Sequence, residues 1–132
     1  MISTDWRIGI LGSPEHMRMS TYASVTEELH IIVFTLVDQG LKPTNSGNLY
    51  VYPTNSGSKW RYGLDAYFIA RKLKKREITL VTAQDPFETG LIGLKIARKL
   101  GVPLQVQLHT DFASIYYGRQ SLKNRLRILI AD

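Results

Sequence analysis

Cysteine is missing from the chain altogether. Its absence excludes a disulfide framework and a thiolate metal site, and fits a reducing compartment. Long apolar runs are missing too, so nothing reads as a membrane span. The opening residues MISTDWRIGIL place Asp5 and Arg7 where a secretory leader would be apolar, and the segment is not expected to be one. A GxGxxG fingerprint is lacking: Gly9-Ile10-Leu11-Gly12-Ser13 is the nearest pattern and a weak one. Acidic residues are in short supply, 11 against 17 Lys and Arg, for a net charge of +6. That balance favours an anionic counterpart, whether phosphorylated substrate, membrane surface or nucleic acid. The basic residues are spread over several helix ends without a nucleic-acid recognition motif, so no nucleic acid is expected as a partner.

What is present suits one folded domain. The 132 residues, 44% of them hydrophobic, are enough for a single core over residues 1–132. Trp6 to Leu11 (WRIGIL) predicts a first strand ending at Gly12-Ser13-Pro14. A helix is expected from about Glu15 to Glu28, with Tyr22, Val25 and Leu29 as its spaced apolar positions, joined by Met19. His30 to Val37 (HIIVFTLV) is apolar throughout, as a central strand of a parallel sheet would be, and Asp38-Gln39-Gly40 closes it. Pro43-Thr44-Asn45-Ser46-Gly47 recurs as Pro53-Thr54-Asn55-Ser56-Gly57; both copies are turn chemistry, and Leu49 to Tyr52 between them predicts a short strand. Trp60 to Glu77 predicts a helix with Trp60, Leu64, Phe68 and Leu73 on one side. It ends in the basic run Arg71-Lys72-Leu73-Lys74-Lys75-Arg76, which reads either as a solvated, dipole-complementing helix end or as a membrane or nucleic-acid patch.

The most informative stretch is Gln84 to Thr110, QDPFETGLIGLKIARKLGVPLQVQLHT. Ile78 to Ala83 is a short apolar strand; Pro86 and Glu88 suit a helix's first turn; Ile92, Ile96 and Leu100 recur every four residues. Gly101 is placed to end that helix, Pro103 keeps it from resuming, and Leu104, Val106 and Leu108 alternate with polar residues as in a strand. The result is a βαβ unit whose strands both end in groups capable of chemistry. Ser121 to Asp132 predicts a closing helix bearing Leu122, Leu126, Leu129 and Ile130 that stops in mid-pattern, as a cut element would.

The Asp-Pro-Phe-Glu-Thr-Gly segment, the His-Thr-Asp-Phe segment and the earlier EELHIIVFTL together resemble the N-terminal domain of family 4 glycosyltransferases of the two-domain GT-B architecture, from about Trp6 onward. The resemblance implies a Rossmann-like three-layer αβα fold with a parallel sheet of about five strands, the N-terminal half of a GT-B fold. It implies a retaining transfer of a sugar from a nucleotide-sugar to a glycan or lipid-linked acceptor, without metal or other cofactor, in a cytoplasmic protein or one peripheral at the inner face of the membrane. The donor is then held by a C-terminal domain with a Glu-x7-Glu motif, which this sequence lacks, so the isolated chain is expected to turn over negligibly.

Ligands of open parallel sheets gather beyond the carboxyl ends of the strands, near where strand order reverses. Three loops qualify: Gly12-Ser13, Gln84-Asp85 and His109-Thr110-Asp111. His109, at a strand end, is either hydrogen-bonded structure or a site residue; by resemblance it contacts the transferred sugar and positions it as positive charge builds. Asp85 either caps the following helix or binds acceptor hydroxyls, and Asp111 carries the same two readings. Backbone N–H groups at Gly12 and Ser13 can approach a phosphate, and Arg18 can meet an anion from that side. The expected loop between first strand and first helix is shorter than in the resembled family. His16 and His30 read as structural. Two other classes stay open. One is a stand-alone nucleotide- or dinucleotide-binding module with Asp38 on the ribose. The other is a self-associating homodimer formed through the final helix.

Overall fold

The segment Leu29–Val33 (LHIIV) is the axis of the sheet in the computed structural model of the chain. Ile31, Val33 and Ile32 are all buried, which requires cover on both faces of the strand. The structure describes residues 1–73, 77–108, 121 and 124. In chain order the strands are β1 (Ile2–Ser3), β2 (Leu29–Val33), β3 (Thr44–Ser46), β4 (Leu49–Pro53), β5 (Val81–Ala83) and β6 (Leu104–Val106). The helices are α1 (Pro14–Ala23), α2 (Tyr62–Leu73) and α3 (Glu88–Leu100). The fold is α/β, compatible with a Rossmann-like sheet of order β3-β4-β2-β1-β5-β6. All pairings are parallel except the β3–β4 hairpin, which turns at Gly47 in a left-handed conformation and adds a sixth strand to the five expected.

Alternate residues of β2 feed two hydrophobic clusters. Ile32 and Phe34 join Ile2, Val81, Ala66 and Ala70 of α2, and Ile96 and Ala97 of α3. Ile31 and Val33 join Leu49, Val51, Ile8, and Met19 and Ala23 of α1. The period of two that separates them is the pleat of a strand buried from both sides.

The first strand departs from expectation. Trp6–Gly9 is a 3₁₀ turn, and the strand is Ile2–Ser3. WRIGIL alternates like a strand, yet only Ile8 of its large residues is buried, while Trp6, Ile10 and Leu11 are exposed. Asp5 caps the turn by accepting from the Arg7 N–H. The β2 edge that WRIGIL would have needed is taken by Met1 and Ser3, whose carbonyls accept from Ile32 and Phe34 at 2.9 Å each. The Met1 amine is enclosed and donates to the His30 carbonyl at 2.6 Å; its burial pushes it down to about 5.

The helices are shorter than predicted and two of them turn differently. On α1 the buried residues are His16, Met19 and Ala23, whereas Tyr22 faces solvent, as does Val25 beyond the helix's end. On α2 the buried residues are Ala66 and Ala70, whereas Trp60, Leu64 and Phe68 are exposed. A tight α2–α3 contact selects the small side: a Cβ at Gly63 would lie 2.5 Å from Ile92 Cδ1. Helix α3 matches its pattern, with Ile96 and Ala97 buried and Gly101 ending it in a left-handed conformation. Lys74, Lys75 and Arg76 of the basic run, and Leu122, Leu126, Leu129 and Ile130 of the expected final helix, lie outside the described residues.

Candidate functional site

Strand order reverses between β1 and β5. The chain moves from β1 toward β2 and β4 on one side, and from β5 to β6 on the other. Ligands of such sheets bind at the switch point, beyond the carboxyl ends of the two strands, which here are Ser3–Asp5 and Gln84–Asp85. Fully buried Ser3 bridges them: its hydroxyl donates to Gln84 Oε1 and accepts from the Asp5 N–H at 2.9 Å. The Gln84 N–H donates to the Ile2 carbonyl at 3.2 Å, continuing the sheet across the same point. With Oε1 engaged, the amide nitrogen of half-buried Gln84 makes no hydrogen bond among the described residues.

Asp85 is anchored but not consumed. Its Oδ1 accepts from the Phe87 N–H at 2.8 Å and, at 3.4 Å, from the Thr89 N–H, while its own N–H donates to Thr89 Oγ1 at 3.0 Å. These bonds fix the turn that leads into α3, whose N-cap, Phe87, makes no side-chain cap bond. Oδ2 takes part in none of these bonds. Carboxylate oxygen and amide N–H2 thus stand on adjacent residues, a pair suited to accept from and donate to hydroxyl groups.

The opposite wall is more self-contained. Arg7 Nε lies 3.1 Å from Asp5 Oδ1, and Arg7 Nη1 lies 3.1 Å from Glu15 Oε1. The hydrogen bond with Asp5, then the charges of Asp5 and Glu15, raise Arg7 above its ordinary value.

The residues singled out from sequence fare unequally. Gly12 and Ser13 follow a 3₁₀ turn rather than a strand end. Gly12 is an exposed left-handed turn residue (φ 80°). The Ser13 hydroxyl donates to the Arg7 carbonyl at 2.7 Å and accepts from the His16 N–H at 3.0 Å, so it caps α1 and is spent. Arg18 is exposed on α1, and no ion pair involves it among the described residues. His109 and Asp111 lie outside the described residues. Asp38 is not at the end of β2, which stops at Val33; it lies in a 3₁₀ turn, near enough that its charge, after burial, helps raise Tyr62. Buried Thr35 stands beyond β2 instead, its hydroxyl bonded to the Asn55 N–H and Oδ1.

His16 and His30 are held by structure. His16 Nδ1 donates to the Ile8 carbonyl at 2.9 Å. His30 stacks on Tyr50 at 4.7 Å, with Nε2 2.8 Å from Glu28 Oε2 and Nδ1 3.1 Å from the Tyr52 hydroxyl. No group of three or more His, Cys, Asp or Glu able to hold a metal occurs among the described residues.

Sequence reasoning passed over Ser3 and Asp5, and took Gln84 only as part of a loop. The signal was available: Ile2 followed by Ser-Thr-Asp has the same apolar-to-polar break that marks Ala83-Gln84-Asp85. Away from this switch point, a cleft of about 400 Å³ lies past the end of β4 against α2, lined by Thr54, Asn55, Arg61, Asp65 and Phe68 among others. Compared with protein-family models, curated proteins and solved structures, the chain matches none.

Proposed function

We propose that the chain is the acceptor-side domain of a sugar-transferring enzyme of the GT-B kind its motifs resemble, with a three-layer αβα arrangement. In this reading the crevice between β1 and β5 holds hydroxyl groups of the acceptor. The observation that carries it is the pairing of Gln84 and Asp85 at the switch point, where neither the Gln84 amide nitrogen nor Asp85 Oδ2 is engaged among the described residues. A polyol presents donors and acceptors in alternation, which such a pair matches better than it matches a phosphate. Two features weigh against the dinucleotide alternative: Asp38 lies in a turn away from the end of β2, and Gly12-Ser13 is a capped helix entry. His109 belongs to this proposal by resemblance alone, as a contact to the transferred sugar, and Asp111 as a candidate for acceptor hydroxyls; both lie outside the described residues.

Backbone amide NMR of the whole chain, titrated with a panel of glycans and lipid-linked sugars and separately with NAD and FAD, tests it. Expected are shifts at Gln84, Asp85 and their neighbours with at least one sugar acceptor, weakened in Asp85→Asn. That variant keeps an Oδ1 acceptor for the Phe87 and Thr89 N–H groups but loses the carboxylate. Shifts with dinucleotides alone would sink the reading. Mixing the chain with nucleotide-sugars and the same acceptors is expected to give negligible transfer.

A further inference from the structure

Helix α2 turns its small residues to the sheet and its large apolar ones outward. Trp60, in the 3₁₀ turn (Lys59–Arg61) that leads into the helix, is 97% exposed; Leu64 is 51% and Phe68 48% exposed. Their spacing of four residues puts them in one row along the segment, opposite buried Ala66 and Ala70. Arg71, three residues past Phe68, continues the row, and Lys59, Arg61 and Lys72 flank it; all four cations are exposed. Asp65 is the only acid from residue 59 to 73, and it lies 3.5 Å from Arg61. Single exposed apolar residues are ordinary. A row of Trp, Leu and Phe set among cations has the composition of a helix that lies in a membrane interface.

We propose that this outer face, from Lys59 to Lys72, docks on an anionic lipid bilayer. Trp60, Leu64 and Phe68 enter the boundary between headgroups and acyl chains, and Lys59, Arg61, Arg71 and Lys72 meet lipid phosphates. Charge selects the occupant. A second copy of this chain brings the same cationic row and the same net charge of +6, whereas an anionic leaflet attracts it. The amphipathic indole and the long cationic stems suit the headgroup level. None of the described helices is long and apolar enough to cross a membrane, so contact is expected to be peripheral. The inference stands apart from the sugar-transfer reading and survives its failure.

The test uses the whole chain carrying Trp6→Phe, which leaves Trp60 as the sole tryptophan of the two. Vesicles of phosphatidylcholine with phosphatidylglycerol are expected to shift Trp60 emission to the blue and to co-sediment the chain; phosphatidylcholine alone, or inorganic phosphate, is expected to do neither. In the parent sequence, Trp60→Ala is expected to lower partitioning roughly tenfold, from the apolar area withdrawn. Lys59→Gln and Lys72→Gln each lower it roughly fivefold, with a steep dependence on salt. Circular dichroism is expected to show each variant folded, since the altered side chains point outward. The proposal is overturned if anionic vesicles leave Trp60 emission unchanged, or if Trp60→Ala partitions as the parent does. It is also overturned if the indole already emits as a buried one in vesicle-free buffer, which would mean protein covers the row; reversal on dilution would identify that cover as a second copy.

Discussion

Replacing Gly90 by alanine sets two effects of known sign against each other. Gly90 lies in the first turn of α3, and alanine in a helix is worth about 1 kcal/mol over glycine. A Cβ at this position would meet the Asp85 carbonyl oxygen at 2.8 Å and its carbon at 3.6 Å. The obstacle is backbone, and the backbone has little room to yield. Asp85 is tied to Thr89 in both directions, and neighbouring Gln84 is tied to Ile2 and Ser3. Moving it strains several hydrogen bonds, each worth about 1 kcal/mol, on top of the usual overpacking cost of about 1–3 kcal/mol. Gly90→Ala is therefore expected to destabilise by about 1–3 kcal/mol net, read as a lower urea midpoint at unchanged slope. Gly63→Ala is the control. Its Cβ would meet the Ile92 side chain, Cδ1 at 2.5 Å, and an off-rotamer shift of about 0.5–1.5 kcal/mol roughly cancels the helix gain. If Gly90→Ala instead stabilised the chain by about 1 kcal/mol, the close packing of the β5–α3 turn would be refuted.

Three further outcomes follow from the same geometry. Ser13→Ala removes the α1 cap and is expected to cost about 1 kcal/mol in urea unfolding; no loss would return Ser13 to the list of residues free for a ligand. Ile31→Ala, at a fully buried position, is expected to cost about 2–5 kcal/mol, whereas Val25→Ser, at a position 84% exposed, stays within about 0.5 kcal/mol; comparable losses would contradict the burial of β2 and the exposure of the turn after α1. The enclosed Met1 amine, pushed down to about 5 from 8.0, is neutral in the folded chain while the unfolded chain protonates below 8. The unfolded state then binds more protons between those values, so stability falls as pH drops through that window. A nitrogen NMR titration of Met1 with its midpoint near 8 would refute this.

The parts of the fold legible in the sequence are those whose signal is local. Helix α3 carries its breaker, its period and its acidic first turn within a short stretch, so its end and buried face could be read, although it begins at Glu88, past Pro86; β4 is bracketed by turn residues and appears where expected. The two-residue strand β1 carries no period at all, and the more apolar stretch nearby, Trp6 to Leu11, reads as the strand in its place. Asp5 decides the matter by capping a turn, and Met1–Ser3 takes the β2 edge first. The face of α2 was misread for a different reason. Periodicity ranks residues by size, but an inward face wedged between sheet and α3 admits Ala66, Ala70 and Gly63, and excludes Trp60 and Phe68. Among the candidate site residues, Asp85 was legible because cap and binding readings point to the same loop. Gly12 and Ser13 were misplaced together with the strand that was to precede them.

The position of the crevice follows from where the chain goes after β1 and β5. Leaving β1, it enters the turn that carries Ile8 into the cluster with α1; leaving β5, it enters α3, whose Ile96 and Ala97 join the other cluster. Neighbouring strands thus send their continuations apart, and the gap between them is floored by the contact of Ser3 with Gln84. The two walls are not equivalent. On the β1 side Asp5 and Glu15 already share Arg7, and a ligand would have to displace an existing ion pair to use them. On the β5 side Asp85 Oδ2 and the Gln84 amide are held in place by bonds to their other atoms, a pre-organised pair that costs little to engage. A ligand in this crevice should therefore draw its specificity from the β5–α3 turn, and changes at Asp5 or Arg7 should act on stability before they act on binding.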